Sequence, residues 1–266
     1  MSNKLNLDDL KRIELEILEV IDKFCNENDI EYFLDSGTLL GAVRHKGFIP
    51  WDDDIDLIMP RKDYNKFKKL FNAANDRYKF LTYDLCDDYY YLFGKVVDTN
   101  TTLVEDIGRQ RIANFGVYVD IFPIDGLPDN SFRKKLLREK MWLLRAMWDD
   151  SLIKKPRKND IVRKIRFKVS HMVGWKRLCK AIDKTIRKID YRDVKYSGNI
   201  IAASKKTRQV RSEVFRTHTL LKFEGKEFRA PIGYKEYLKE LYGDYMKLPP
   251  KEKQVSNHVF SATMKK

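Results

Sequence analysis

The sequence has few cysteines, and their arrangement excludes two classes of fold. Cys25, Cys86 and Cys179 lie far apart in a chain of 266 residues, they are odd in number, and no histidine accompanies them at metal-ligand spacing. Neither a disulfide framework nor a zinc site is therefore indicated. We expect a protein of the reducing cytoplasm.

Long apolar runs, repeats and flexible linkers are also lacking. No stretch approaches the roughly 18 consecutive apolar residues that would cross a bilayer, and the first residues lack the apolar core of a signal peptide. A prior of roughly 150 residues per domain gives one large domain or a core with an appendage. Any association with a membrane should therefore be peripheral, on the inner face of the cell membrane.

Acidic residues are outnumbered by basic ones. Asp+Glu total 39 and Lys+Arg total 53, which gives a formal net charge of +14. Hydrophobic residues (43%) and aromatic residues (12%) are too frequent for a disordered chain, so the excess charge lies on a folded surface. Such a surface attracts nucleic acid, an anionic membrane or phosphorylated substrates.

The bases are concentrated in residues 154–190, where apolar residues recur at spacings that mostly suit one face of a helix. This pattern predicts one or two basic amphipathic helices, which can lie on an anionic membrane surface. The alternative is a solvated helix face that packs on its own domain. Nucleic acid is a weaker candidate, because the aromatic residues are too sparse for a base-stacking platform.

Hydrophobic periodicity predicts a mixed α/β region over residues 1–130 and a mainly helical region over residues 131–266, packed against it. The predicted helices of the first region are residues 7–24, 36–44 and 64–74. Its predicted strands are residues 30–34, 54–59, 80–83, 90–97, 101–104 and 117–122. The second region should also contain a β-hairpin near residues 214–228, a helix near residues 234–242 and a polar tail.

Two carboxylates stand in a strand-like segment. Asp54 and Asp56 are two residues apart, so a strand directs them to the same face. Carboxylates held side by side repel each other unless a cation lies between them, and Mg²⁺, or Mn²⁺, suits such a pair. Asp120 stands alone in another buried strand pattern and would join them if the two strands were neighbours. Alternatively, residues 52–54 cap a turn and the other acids pair with bases.

The order of these motifs resembles the nucleotidyltransferase superfamily typified by DNA polymerase β. In that superfamily a Gly-Ser/Thr turn at a helix start, here residues 36–38, precedes Asp-hydrophobic-Asp and a later hydrophobic-Asp-hydrophobic strand. Glycine at such a turn allows backbone N–H groups to approach a phosphate. The resemblance implies an α/β (α+β) fold, a nucleotidyltransferase-like mixed sheet that carries three aspartates, with a helical C-terminal part. Fifteen residues separate Thr38 from Asp54, somewhat more than usual.

The longer loop between Thr38 and Asp54 indicates which family of the superfamily the sequence resembles. Residues 34–56 look like the signature of the LicD family, whose relatives include the fukutin-type phosphosugar transferases, and the resemblance continues through Lys95, residues 118–126 and residues 242–250. The family implies transfer of phosphocholine from CDP-choline to a sugar hydroxyl, with release of CMP. The implied acceptor is a lipid-linked precursor of a teichoic acid or lipooligosaccharide.

The resemblance and the chemistry together assign roles to nine residues. Asp54 and Asp56 are predicted to bind one or two Mg²⁺ ions, and Asp120 to complete the metal site that carries the acceptor hydroxyl. The residues assigned to substrate binding are Ser36, Gly37, Thr38, Arg44, Trp51 and Lys95.

Choline is a quaternary ammonium and calls for aromatic rings. The candidates for that contact are Trp51, Tyr89, Tyr90, Tyr91 and Phe122.

The histidines predicted to lie in loops or on the surface are His45, His218 and His258. Three alternatives stay open: a transferase of glycerol or ribitol phosphate, a nucleotidyltransferase that acts on a nucleic-acid end, and a non-enzymatic membrane-surface protein.

Overall fold

The computed structural model describes residues 4–105, 111–156, 160–201, 209–255 and 260–265. The helices in these ranges are α1 (Leu7–Glu27), α2 (Ser36–Arg44), α3 (Arg61–Ala74), α4 (Ser131–Ser151), α5 (Ile161–Val173), α6 (Trp175–Ile186) and α7 (Tyr234–Tyr242). The strands are β1 (Phe33–Leu34), β2 (Asp56–Pro60), β3 (Tyr78–Leu81), β4 (Gly94–Asp98), β5 (Thr101–Glu105), β6 (Tyr118–Leu127), β7 (Tyr196–Gly198), β8 (Val210–Arg211), β9 (His218–Phe223), β10 (Lys226–Pro231) and β11 (Phe260–Met264).

A mixed sheet with the strand order β1-β2-β6-β4-β3 forms the centre of the molecule, and β7 and β8 extend it along the second half of β6. The strands β2 and β6 are parallel, whereas β4 is antiparallel to β6. All ten residues of β6 are buried, which explains its nearly continuous apolar sequence. The predicted α+β fold with a mixed sheet is confirmed.

Two amphipathic helices, α1 and α3, pack on the sheet and on each other. The side chain of Asn6 accepts a hydrogen bond from the N–H of Asp9 at 2.9 Å, and the Asp9 carboxylate accepts one from the N–H of Asn6 at 3.1 Å. This reciprocal pair is a capping box, and it starts α1. Phe24 of α1 meets Phe67 and Phe71 of α3 edge to face, with ring centroids 5.5 and 5.1 Å apart. Side chains at helical spacing therefore close one face of the sheet.

The chain after residue 130 is not uniformly helical. Its helices α4 and α6 share a second hydrophobic cluster that includes Leu127, Met141 and Ile182. The predicted basic helices of residues 154–190 are present as α5 and α6. The same region also contributes β7 and β8 to the central sheet, and the division at residue 130 stays a prediction.

Several strands differ from their predicted bounds. The strand predicted at residues 30–34 is reduced to β1, and the one predicted at residues 90–97 begins only at Gly94, because the Tyr89 hydroxyl bonds the Phe93 carbonyl and closes the preceding residues into a loop. The predicted hairpin forms as β9 and β10, around a turn in which Glu224 and Gly225 both have positive φ. The tail contains β11, which pairs with β5, so it is not simply polar coil.

A buried ion triad joins α3, β6 and α6. Arg61 binds both carboxylate oxygens of Asp125, at 2.7 and 2.5 Å, and one oxygen of Asp183 at 3.0 Å. The Asp125 side chain is fully buried. Such a pair stabilises the fold only while both partners are present, because either charge alone would be buried without compensation.

The triad predicts a stability effect. Arg61→Met should lower the free energy of unfolding by about 3 kcal/mol, because the Asp125 carboxylate would stay buried without its counter-ion. Urea denaturation at pH 7 measures this change. The neighbouring Lys62→Met, which removes an exposed ion pair with Asp190, is the control and should change stability little. Equal effects of the two substitutions would contradict the role assigned to Arg61.

Candidate active site

The three predicted aspartates converge at the start of the parallel pair β2–β6. Asp56 stands opposite Asp120 in the register of the two strands, and the N–H of Asp120 donates to the carbonyl of Ile55 at 2.9 Å. Burial raises the pKa of Asp56 well above its usual value, and the charges of Asp54 and Asp120 raise it further. The structure therefore brings these acids close enough to repel each other.

The preceding turn adds two more carboxylates. One oxygen from each of Asp52, Asp53 and Asp54 can be chosen so that all three lie within 4.8 Å of one another. This spacing and the all-oxygen donor set fit a hard divalent cation such as Mg²⁺ or Mn²⁺. The sequence assigned the metal to Asp54, Asp56 and Asp120 and predicted no metal-binding role for Asp52 and Asp53, for which the only sequence signal is their position beside Asp54.

The turn at the start of α2 is fitted to this acidic segment. A Cβ atom at Gly37 would lie 2.5 Å from Oδ2 of Asp52, so any larger residue would displace that carboxylate from its observed position. Ser36, the first helical residue, has a φ of +46°. The hydroxyl of Thr38 accepts a hydrogen bond from the N–H of Asp56 at 2.8 Å, and the N–H of Asp35 donates to the Asp56 carbonyl at 2.9 Å. The phosphate-binding role of residues 36–38 stays a prediction.

At the other end of α2, Arg44 connects the site to the C-terminal segment. Its guanidinium donates to the carbonyl of Tyr245 and to Nε2 of His45, both at 2.9 Å. Burial lowers the pKa of His45, the charge of Arg44 lowers it further, and the ring thus accepts a hydrogen bond as a neutral imidazole. The ring of Trp51 lies edge-on to His45, with centroids 6.4 Å apart. Arg44 and Trp51 are therefore held in place, and their substrate contacts stay predictions.

Lys95 is the buried cation of the site. Its Nζ lies 2.5 Å from Oδ1 of Asp120, directly across the β4–β6 register, and only 2% of the residue is exposed. The same Nζ lies 3.4 Å from the ring centroid of Tyr118, 4.9 Å from that of Tyr91 and 5.2 Å from that of Phe93. We call these three rings the aromatic cage. Burial raises the pKa of Asp120 to about 6, against the opposing effect of Lys95.

The structure separates the aromatic residues predicted to contact choline. Tyr91 belongs to the aromatic cage, and Phe122 packs against Phe93 at a centroid distance of 4.3 Å. Tyr89 and Tyr90 are buried, and the carbonyl of Tyr90 accepts a hydrogen bond from Trp148 at 2.9 Å. The aromatic residues around Lys95 that sequence reasoning missed are Phe93 and Tyr118.

Further contacts link more distant parts of the chain to the site. The hydroxyl of Tyr237 in α7 donates to Asp35 at 2.6 Å, next to the start of α2. His218 contacts Glu31 at 2.7 Å in a partly buried pair. His258 lies outside the described residues. The C-terminal half thus helps to position α2, which no single sequence motif indicated.

The helix α5 presents an apolar stripe to solvent. The exposed members of the stripe are Ile161, Val162, Ile165, Val169 and Met172. Exposed Lys164 and Lys168 flank this face, whereas Ser170 on the opposite side is buried. In the part of the chain that the structure describes, no helix is both long enough and apolar enough to span a membrane.

Comparison with known proteins identifies the family. The model of the LicD/FKTN/FKRP nucleotidyltransferase domain matches residues 29–149. The lipopolysaccharide cholinephosphotransferase LicD of Haemophilus influenzae is 31% identical over 276 aligned positions, which cover 97% of this chain and 98% of that protein. The ribitol 5-phosphate transferase FKRP of Mus musculus is 30% identical over 94 residues, 35% of this chain and 17% of that protein. Because the first of these relatives matches almost from end to end, the chain belongs to the LicD family and is a transferase.

Proposed function

We propose that this transferase moves phosphocholine from CDP-choline to a sugar hydroxyl of a lipid-linked cell-surface glycan precursor, of the teichoic acid or lipooligosaccharide type, and releases CMP. The observation that carries the proposal is the acidic centre at the start of β2 and β6, with the aromatic cage beside Asp120. The Haemophilus relative is a lipopolysaccharide cholinephosphotransferase, which agrees with the proposal. The alternative of a non-enzymatic membrane-surface protein is inconsistent with membership in this family of transferases.

Phosphoryl-type transfer requires an in-line nucleophile and neutralisation of charge on the diphosphate, with little covalent help from the protein. The acceptor oxygen forms a bond to the phosphorus of the phosphocholine group, the bond from that phosphorus to the bridging oxygen breaks, and CMP leaves with the electron pair. Asp120 is suited to take the hydroxyl proton, because burial raises the pKa of its carboxyl group. A Mg²⁺ or Mn²⁺ ion held by Asp54 and Asp56, with Asp52 and Asp53, would neutralise the diphosphate when bound.

The acidic centre generates the first prediction for activity. Asp54→Asn, Asp56→Asn and Asp120→Asn should each reduce CMP release from CDP-choline at least ~100-fold, because each removes a charge on which the transition state depends. The assay contains purified protein, Mg²⁺ and a lipid-linked glycan extract. Asp84→Asn, at an aspartate bound to Lys68, is the matched control and should retain activity. Release that persists in all three variants would refute the mechanism.

The choice of choline rests on the aromatic cage. Three rings already surround an ammonium group, and the same electrostatic attraction applies to the trimethylammonium group of choline. In the proposed complex Lys95 leaves the cage and pairs with the donor diphosphate, and choline takes its place. The second candidate donor carries ribitol phosphate, because the relative FKRP is a ribitol 5-phosphate transferase. An uncharged polyol would gain nothing from the cage.

Donor specificity tests this assignment. Phe93→Leu keeps an apolar side chain but removes a ring, and should raise the KM for CDP-choline about tenfold because one cation–π contact is lost. The KM for CDP-glycerol or CDP-ribitol, where these donors are used, should not change. Phe228→Leu serves as control, since Phe228 packs on Phe223 in the β9–β10 hairpin, with ring centroids 6.4 Å apart, and contacts none of the cage rings. Consumption of CDP-ribitol but not of CDP-choline would overturn the donor assignment and leave the acidic mechanism in place.

We also propose that the α5 stripe and its flanking lysines bind an anionic membrane, where a lipid-linked acceptor would be met. A helix that exposes 73% of Ile161 and 81% of Met172 gains by burying these side chains in the interface. The bases Lys164 and Lys168 lie where they can meet anionic headgroups. Nucleic acid is less suited to such a face, because it offers no apolar phase for the stripe.

Vesicle binding tests the membrane proposal. Lys168→Gln should weaken binding to vesicles that contain phosphatidylglycerol about fivefold, since one base near such a surface contributes about 1 kcal/mol. Ile165→Asp should weaken binding more strongly, and Leu220→Asp, at an exposed leucine of β9, should not. Co-sedimentation at low and high salt measures these effects. Equal binding by the Ile165 and Leu220 variants would show that α5 is not the contact surface.

A further inference from the structure

A buried carboxyl group behind the acidic centre has no role in the proposed reaction so far. Glu14 lies on the apolar face of α1, among Leu10, Ile13 and Ile17, and is only 3% exposed. Its Oε2 atom is fully buried and has no hydrogen-bond partner among the described residues. A carboxyl group in such a position is costly unless it receives a proton or a cation.

Neighbouring contacts place this turn of α1 against the acidic segment. Lys11, one turn before Glu14, points its Nζ at the carbonyls of Ile49 (3.5 Å) and Pro50 (3.3 Å), and only Trp51 separates Pro50 from the acidic residues. After burial, the charges that most raise the pKa of Glu14 are those of Asp54, Asp53, Asp120 and Asp52. All four are negative. Burial, together with these charges, raises the pKa of Glu14 well above its usual value.

We propose that Glu14 is a further oxygen ligand, direct or through one water, of the divalent cation that the proposed function assigns to Asp54 and Asp56, with Asp52 and Asp53. The inference rests on the cation of the proposed function and extends the cation-binding centre to α1, outside the matched family domain of residues 29–149. Mg²⁺ and Mn²⁺ take several oxygen ligands, and a cation offsets the repulsion that four neighbouring acids otherwise impose on Glu14. The metal-free protein therefore holds Glu14 in an unfavourable environment that cation binding relieves.

A purely structural glutamic acid behaves differently. If Glu14 is only a neutral acid in the core, Glu14→Gln preserves its size and polarity and leaves cation affinity unchanged. If Glu14 is a ligand, the same substitution weakens cation binding, because a charged oxygen is lost. Stabilisation of the metal-free protein, which follows from removing a buried acid, is expected in either case, so the cation affinity distinguishes the two roles.

The experiment measures Mn²⁺ binding by electron paramagnetic resonance, and Tm with and without Mn²⁺, on the full chain without donor. Glu14→Gln should weaken Mn²⁺ binding at least about tenfold, raise the Tm of the metal-free protein and shrink the rise in Tm that Mn²⁺ causes. Glu16→Gln, on the same helix but paired with Arg12 and Arg77, is the matched control and should leave Mn²⁺ affinity unchanged. If Glu14→Gln does not fold, Glu14→Met provides the same comparison with an apolar side chain of similar length.

Two outcomes would overturn the inference in distinguishable ways. Unchanged Mn²⁺ affinity in Glu14→Gln, together with a loss in Asp54→Asn, would exclude Glu14 as a ligand and leave the cation of the proposed function in place. Failure of the unsubstituted protein to bind Mn²⁺ would remove both the cation and the role of Glu14. A lower Tm for metal-free Glu14→Gln with normal Mn²⁺ affinity would identify Glu14 as a structural residue only.

Discussion

Repulsion among carboxylates at the start of β2 is the constraint on which the surrounding structure depends. The parallel pairing of β2 with β6 puts Asp56 beside Asp120, and the chain that enters β2 brings Asp52, Asp53 and Asp54 to the same place. Acids collected in this way destabilise a fold unless hydrogen bonds, a base or a cation compensate for them. The neighbouring elements can be understood as parts of that compensation.

The elements that provide compensation come from widely separated parts of the chain. Gly37 leaves room for the Asp52 carboxylate, and the Thr38 hydroxyl holds the first N–H of β2. Lys95 crosses from β4 to Asp120, and Tyr237 of α7 reaches Asp35 at the start of α2. The site is therefore a product of the whole tertiary structure, although most of its acidic groups lie within a few consecutive residues.

The sequence predicted the local parts of this arrangement and missed the nonlocal ones. Alternation around Asp54 and Asp56, and the apolar residues on both sides of Asp120, predicted the strands β2 and β6, although β2 begins only at Asp56 and leaves Asp54 in the segment before it. The pairing of β7 with β6 and of β11 with β5 joins residues far apart in sequence, and short strands of this kind carry little periodic signal. Glu14 was visible as an acid on the apolar face of a helix, but only the fold placed it behind the acidic centre.

Lys95 explains why the acidic centre and the aromatic cage occur together. The ammonium group of Lys95 pairs with Asp120 and also contacts the three rings of the aromatic cage. Any movement of Lys95 therefore leaves the Asp120 carboxylate without its base and the cage without its cation. In the proposed reaction CDP-choline compensates for the movement of Lys95. Its quaternary ammonium contacts the rings of the cage, and its diphosphate pairs with Lys95. The divalent cation that accompanies it offsets the charge of the aspartates. A donor with an uncharged polyol would supply the diphosphate but no ammonium group for the cage. In the proposed function, the contacts of Lys95 with Asp120 and the cage therefore favour a substrate that is itself positively charged at one end.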